Sequence, residues 1–404
     1  MKRPEAITSV AVPEMFTDKN IERMLIECSQ VEGVADILLQ TGDYVWLRVH
    51  GELRPVAGRM LDQSDLELFL TSKYGRSAMG VLNSSRPLDF RAEALRSIDD
   101  IVGFRANGTR GRVGDVADGT SVTLRYISPL PRLLETLGLE QAVVDAIAPQ
   151  YGLVLVVGTT GSGKSTILSS VIRARQEGVW GRGFKVLTYE DPIESTYSVL
   201  GEGYMPKVFQ AEIGTGRHLE SFELAGPNAM RRGADVIVLG EMRDRNSVEA
   251  GFELALTGHC VYATLHAETP AQTIDRMISF FPYDAQAAAA SKLRSVLRMI
   301  LAQKQFTLRA GGSQRVRSWC VFDREVNRRL GEIRCDQWER EMVRICDQRD
   351  TSFEAAASRL IECGDIDFAQ FCEIANFTRA EAEAYLCGRF GDERGAALCA
   401  APQD

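Results

Sequence analysis

The stretch Gly158-Thr159-Thr160-Gly161-Ser162-Gly163-Lys164-Ser165 fits the pattern G-x-x-x-x-G-K-[ST]. Phosphates are crowded and negatively charged, so a loop that holds them must wrap them with backbone N–H groups. Glycines let the chain curl with no Cβ in the way. In such a loop Lys164 neutralises the β- and γ-phosphates and the Ser165 hydroxyl holds Mg²⁺. Thr166 follows in the same first turn and belongs to the nucleotide-binding set. The apolar run LVLVV (153–157) precedes the loop, and a helical segment near 164–175 follows, its positive end aimed at the phosphates. Pattern and context together predict binding of ATP with Mg²⁺. They do not identify the machine that the nucleotide drives.

A P-loop hydrolase also needs an acid at the end of a neighbouring strand, near the metal. DVIVLGEMRD (235–244) supplies one: the apolar strand 236–239 is followed by Glu241. A common version of this strand ends in Asp, where this chain has Gly240. Glu241 is therefore expected to act on Mg²⁺ directly or through its water shell. KVLTYE (185–190) opens into Glu190-Asp191-Pro192-Ile193-Glu194. Three carboxylates at one strand end repel each other unless a cation or a water-polarising role offsets the cost. Glu194 is the candidate to orient or deprotonate the attacking water, with a plain acidic turn as the alternative. TGHCVYATLH (257–266) carries two of the four histidines. His266 follows a buried-type strand, placed to bond a γ-phosphate or a catalytic carboxylate. The alternative is a core histidine satisfied by backbone.

The elements that position these residues can be read from apolar periodicity. Between about 141 and 325 the four apolar runs 153–157, 185–190, 235–241 and 260–265 alternate with helical segments. Near-continuous apolar strands separated by helices predict βαβ units and a parallel sheet covered on both faces. Residues 1–140 predict a small α+β domain. A helix capped by Thr17 or Asp18 places Ile21, Met24, Leu25 and Cys28 on one face. Residues 36–56 predict strands around a Thr-Gly-Asp turn, with His50-Gly51 as a second turn. Residues 103–127 alternate strand-like runs with Gly and Asn turns, and 128–138 resembles a linker entering a helix. From about 340 the chain is mostly helical, with Ser352 as a cap, Gly364 as a stop and 391–404 as a frayed tail. The expected domains are 1–138, 139–340 and 341–404.

With 404 residues, 45% hydrophobic, 25% charged and a net charge of −8, the chain has ordinary globular composition and an acidic balance. That balance disfavours a nucleic-acid translocase, and no direct nucleic-acid binding is expected. The dense basic stretch is KLRSVLRMILAQKQFTLR (292–309), whose helical spacing also fits a packed amphipathic helix. No apolar run approaches the roughly 20 residues that span a bilayer, and the N-terminus has no signal-peptide run. A cytoplasmic protein is expected, with any membrane link made through a partner. The nine cysteines include no C-x-x-C pair and are expected to be reduced thiols rather than a zinc site.

Taken together, the motifs resemble the PilT/GspE family of secretion and type IV pilus ATPases. GTTGSGKS looks like its Walker A, EDPIE (190–194) like its Asp box, VIVLGEMRD like its Walker B and TGHCVYATLH like its His box, in the family's order. LRVHGELRPV and FRAN look like its N-terminal PAS-like domain, so the resemblance runs from about residue 17 to 385. It implies a RecA-like P-loop core, a PAS-like α+β domain, a helical C-terminal extension and a homohexameric ring. ATP would sit between the N-terminal and RecA-like domains, and hydrolysis would move one against the other. It also implies roles by position: Lys164 and Ser165 on phosphate and Mg²⁺, Glu241 as Walker B acid, Glu194 as catalytic base and His266 as His-box histidine. Arg105 in FRAN and Arg125 in TLRYI match arginines that reach the γ-phosphate. Three departures narrow the branch. The second His-box threonine is Ala267, no motif like AIRNLI stands near 321–333, and the family's tetracysteine module is absent. The 195–225 loop and SWCVFDREV look closer to the DotB/TraJ branch, which serves type IVB secretion and plasmid conjugation. An inner-membrane transport complex is the partner this implies.

Overall fold

The computed structural model describes residues 5–97, 100–127, 130–181, 184–197, 208–214, 217–307 and 313–400. The chain forms two compact units, one of Met1–Pro131 with Pro192–Lys207 and one of Arg132–Asp191 with Val208–Asp404.

The first unit opens with α1 (Asp18–Ser29), capped by the Thr17 hydroxyl, which accepts from the Asn20 N–H. Ile21, Met24, Leu25 and Cys28 face the core, as their spacing predicts. There follow β1 (Val34–Gln40), β2 (Trp46–Val49), β3 (Glu52–Pro55), α2 (Gln63–Lys73), α3 (Ala78–Asn83), β4 (Leu88–Ser97), β5 (Asp100–Val113) and β6 (Val116–Ile127). The strands make an antiparallel sheet in the order β3-β2-β1-β6-β5-β4. α1 and α2 bury Leu25 and Phe69 in one core with Ile37, Phe104 and Leu124 of the sheet. One expectation changes here. Asn107-Gly108 is not a turn but mid-ladder, opposite Thr123 and Val122, and the chain reverses at Gly114-Asp115. β5 is paired on both sides, and those two ladders outweigh the local turn preference of Asn-Gly.

In the second unit a 3₁₀ turn (Leu134–Leu137) leads to α4 (Gln141–Ala146), β7 (Gly152–Val157) and α5 (Lys164–Gln176). Next come β8 (Val186–Glu190), β9 (Phe209–Glu212), α6 (Phe222–Met230), β10 (Val236–Leu239), α7 (Arg245–Leu256) and β11 (Cys260–Leu265). α8 (Pro270–Ser279), α9 (Gln286–Val296), β12 (Leu297–Thr307) and β13 (Ser313–Val321) complete the sheet region. The sheet order is β13-β12-β7-β11-β10-β8-β9, parallel throughout except for β13. Residues 153–157 of β7 are fully buried. Each such Val or Leu contributes about 1.5–3 kcal/mol relative to exposure, so this strand is a rigid base for the loop that leaves it.

The basic stretch 292–309 is not one amphipathic helix. α9 ends at Val296 and the chain continues as β12, between β7 and β13. Its apolar residues suit either period, and two open ladder edges decide for a strand.

The C-terminal helices are α10 (Arg324–Gly331), α11 (Trp338–Gln348), α12 (Phe353–Cys363), α13 (Phe368–Ala375), α14 (Arg379–Phe390) and α15 (Asp392–Ala400). Ser352 caps α12 and Gly364 ends it in the left-handed region, both as predicted. Residues 392–400, expected as a frayed tail, form α15, and the partly buried Leu398 and Cys399 pack against the core. The expected domain boundary at 340/341 is crossed by one core, in which Met342, Ile345, Phe353 and Phe371 join Met277 and Ile300.

Candidate active site

The P-loop leaves the C-terminal end of β7 and closes onto α5. Gly158 has φ 149°, and a Cβ there would stand 2.3 Å from the Gln303 carbonyl oxygen, so only glycine fits. α5 begins without a side-chain cap, leaving its first N–H groups to a phosphate. Ile167, Leu168, Val171 and Ile172 anchor the helix, which fixes where those N–H groups point. Lys164 lies buried in the loop, its Nζ donating to the carbonyls of Gly158 (2.8 Å) and Thr159 (2.9 Å). The Ser162 hydroxyl is buried with no hydrogen-bond partner. A buried polar atom without a partner is uncommon in folded proteins and marks a place for one. Thr159, Thr160 and Gly161 are exposed at the loop's tip, and Ser165 and Thr166 are half-buried in the first turn of α5.

Glu241 sits two residues beyond β10, held from both sides. The Gly240 N–H donates to Tyr189 O at the end of β8 (2.7 Å), and the Met242 N–H donates to Thr264 O at the end of β11 (2.9 Å). The Thr264 hydroxyl adds a bond to Gly240 O. A Cβ on residue 240 would lie 3.0 Å from Glu190 Cα and 3.2 Å from Tyr189 O. The close approach of β8 thus explains why glycine occupies the usual place of the Asp. His266 Nε2 lies 3.3 Å from Glu241 Oε1, and Arg243 Nε lies 3.7 Å from Glu241 Oε2. The three other histidines have local tasks. His259 bonds Leu254 O at the end of α7, His218 accepts from the Glu212 N–H, and His50 takes a left-handed turn.

The acids of 190–194 each have a partner of their own. Glu190 accepts from the Thr188 hydroxyl (2.5 Å) and from Gln210 Nε2 (3.2 Å). Asp191 accepts from Arg243 (2.7 Å). Glu194 belongs to the first unit, where Arg105 lies 3.5 Å away. Separate partners therefore relieve the repulsion. Arg125 bonds Asp36 (2.9 Å), which also holds Arg48 (3.1 Å).

A cleft of about 510 Å³ is bounded by Gly158, Thr159, His266, Glu268, Gln272 and Arg276. It joins the P-loop to the histidine that follows β11. Arg243, inside the stretch VIVLGEMRD, joins the site through its contacts with Asp191 and Glu241. Gln303 and Arg317 are new to the site. The sequence signal for Gln303 is a polar residue that ends the apolar run 299–302.

A glycine-rich loop at the end of a central parallel strand, with an acid at the end of the strand two places away, defines a P-loop NTPase with a RecA-like core. Residues 41–355 match the model of the Type II/IV secretion system protein family, and the chain belongs to that family. It is an ATPase of the secretion and pilus motor class. It is 29% identical over 355 residues to the type IV pilus ATPase PilU of Pseudomonas aeruginosa, covering 86% of this chain and 85% of that one. Among solved structures, the ATPase DotB of Legionella pneumophila superposes with TM-score 0.76 at 32% identity, covering 91% of this chain and 98% of that one. The pilus retraction motor PilT with bound ADP superposes with TM-score 0.69 at 25% identity, covering 84% of this chain and 92% of that one. Among the described residues no helix is long and apolar enough to cross a membrane.

Proposed function

We propose that this chain is the ATP-hydrolysing motor of a type IVB secretion or conjugal plasmid-transfer apparatus. It would work as a homohexamer on the cytoplasmic face of the inner membrane, held there by partner proteins and making no direct nucleic-acid contact. The observation that carries this reading is the likeness to DotB, which extends over 98% of that ATPase at 32% identity.

The loop 158–166 binds the phosphates of ATP in this reading, with Lys164 leaving its two carbonyl partners for the β- and γ-phosphates. The unpartnered Ser162 hydroxyl, the uncapped start of α5 and the cradle that a Cβ at Gly158 would fill all fit a triphosphate. Ser165 and Glu241 would hold Mg²⁺, Glu241 directly or through water. The metal would supply charge neutralisation on the transferring phosphoryl group. Glu194 orients or deprotonates the attacking water, and His266 holds the Glu241 carboxylate in place. Arg105 and Arg125 bring positive charge to the γ-phosphate during turnover. In this reading the N-terminal region is 1–138, and the ATPase region (139–340) and helical region (341–404) are two functional parts that share one core.

A type IV pilus motor is the second reading, favoured by the similarity to PilU over 86% of this chain. One experiment separates the two. A donor strain deleted for the gene is complemented with wild type, Lys164→Ala or Glu241→Gln, and transfer frequency and pilus production are scored in the same cells. Loss of transfer with pili retained is the expected result. Joint loss of transfer and pili would move the assignment to a pilus motor, and normal transfer by Lys164→Ala would end the motor reading.

A further inference from the structure

Gln303 is 1% exposed within β12, one position past the pair Ala302–Val157, the last between β12 and β7. It therefore stands beside the point where the P-loop leaves β7. Its side-chain amide donates to the Ser162 carbonyl inside the loop. Its own carbonyl oxygen is the atom that forbids a Cβ at Gly158. On its other side, Gln303 Oε1 accepts from Arg317 Nε at 2.8 Å. The two residues are direct cross-strand partners of β12 and β13.

Arg317 is unusual in its surroundings. Its two terminal nitrogens donate to the carbonyls of Gly138 (2.8 Å) and Leu137 (2.7 Å). Among the described residues no carboxylate lies within ion-pair distance of it. Burial, with the Arg315 charge nearby, lowers its pKa to about 10, so it is still charged at neutral pH. A half-buried cation held by carbonyls and an amide, with no carboxylate beside it, is costly compared with an apolar residue. The bonds to 137 and 138 are 180 and 179 residues apart in sequence, so local structure does not require them. What the arrangement achieves is a continuous line of four hydrogen bonds from the 3₁₀ turn Leu134–Leu137 to the middle of the P-loop. That turn begins shortly after Arg132, where the chain enters the second unit.

We infer that Gln303 and Arg317 are positioning residues. They set the conformation of the P-loop and tie it to the turn at 137–138, so that nucleotide affinity depends on where that turn lies. The inference rests on reading 158–166 as the nucleotide-binding loop and is independent of which apparatus the ATPase serves.

The test uses the full-length protein and a fluorescent ATP analogue. Gln303→Glu keeps the size and the Arg317 partner but replaces the donor facing Ser162 O with a carboxylate oxygen. It is expected to weaken analogue binding about tenfold or more, while kcat at saturating ATP changes by less than about threefold. Arg317→Lys, which loses the simultaneous bridge to two carbonyls and Gln303, is expected to weaken binding in the same sense. The double variant is expected to bind no worse than the weaker single one, because both act through one line of bonds. Wild-type affinity in folded Gln303→Glu would overturn the inference, as would fully additive effects. If Gln303→Glu does not fold, Arg317→Lys decides alone, and unchanged affinity there has the same consequence. Lys164→Ala is the control. Should wild type itself bind no analogue, the nucleotide-loop reading fails, a result distinct from failure of the tether.

Discussion

Glu241 Oε1 and His266 Nε2 stand 3.3 Å apart, although one follows β10 and the other follows β11. The parallel register of these strands, with Leu239 opposite Ala263, brings both residues to the same sheet end. The Glu241 side chain is 28% exposed and that of His266 41%, so the pair is reached by solvent rather than sealed in the core, and His266 lines the cleft. Glu241→Gln is expected to bind nucleotide normally and to lose on the order of 10²-fold or more in kcat. His266→Ala loses less, about tenfold, because it removes one hydrogen bond to a charged group. Phosphate release alongside analogue binding reads both. Equal turnover by wild type and Glu241→Gln would remove this carboxylate from the chemistry.

Restoring the Asp usual in this kind of strand is expected to fail. Gly240→Asp pushes a Cβ to 3.0 Å from the backbone of Glu190 and adds charge beside two acids. Overpacking of this kind costs about 1–3 kcal/mol, so the thermal midpoint should fall with no gain in kcat. A variant as stable as wild type would mean that β8 yields freely at its end.

Arg105 pairs with Glu194 across 3.5 Å, each side chain 46% exposed. Such a pair contributes at most about 1 kcal/mol to stability. Arg105→Ala should therefore unfold like wild type in a thermal melt yet lose at least about tenfold in kcat if its charge serves the γ-phosphate. Unchanged turnover would leave Arg105 as a surface ion pair. In Arg125→Ala, Arg48 still pairs with Asp36, so stability should again hold while turnover falls.

Cys28 supplies a pH dependence. Burial raises its thiol pKa from 9.0 to about 12. A folded-state pKa above the unfolded value means that the unfolded chain releases this proton first as pH rises. The group's contribution is complete below pH 9 and is lost between 9 and about 12. Denaturant unfolding from pH 8 to 10.5 should show a falling stability whose slope is shallower in Cys28→Ala. Identical slopes would show that the Cys28 thiol does not govern this range.

Much of the site is written in short stretches of chain. The P-loop, the strand before it and the helix after it are contiguous, so glycine spacing and apolar runs suffice to locate them. Glu241 and His266 each follow a buried strand at once, and their positions could be read one strand at a time. The cap at Thr17 and the stop at Gly364 are local for the same reason. Tertiary structure decided whatever depends on which strands lie side by side. Pairing on two edges made continuous strands of 103–127 despite their glycines, and made a strand of 297–307 despite its helical spacing. The close approach of β8 demanded glycine at 240, and other elements supplied partners for the acids Glu190, Asp191 and Glu194. The bond from Gln303 to Ser162 spans 141 residues of sequence. Its chemistry exists only because β12 folds beside β7, a neighbour relationship that no local pattern of residues encodes.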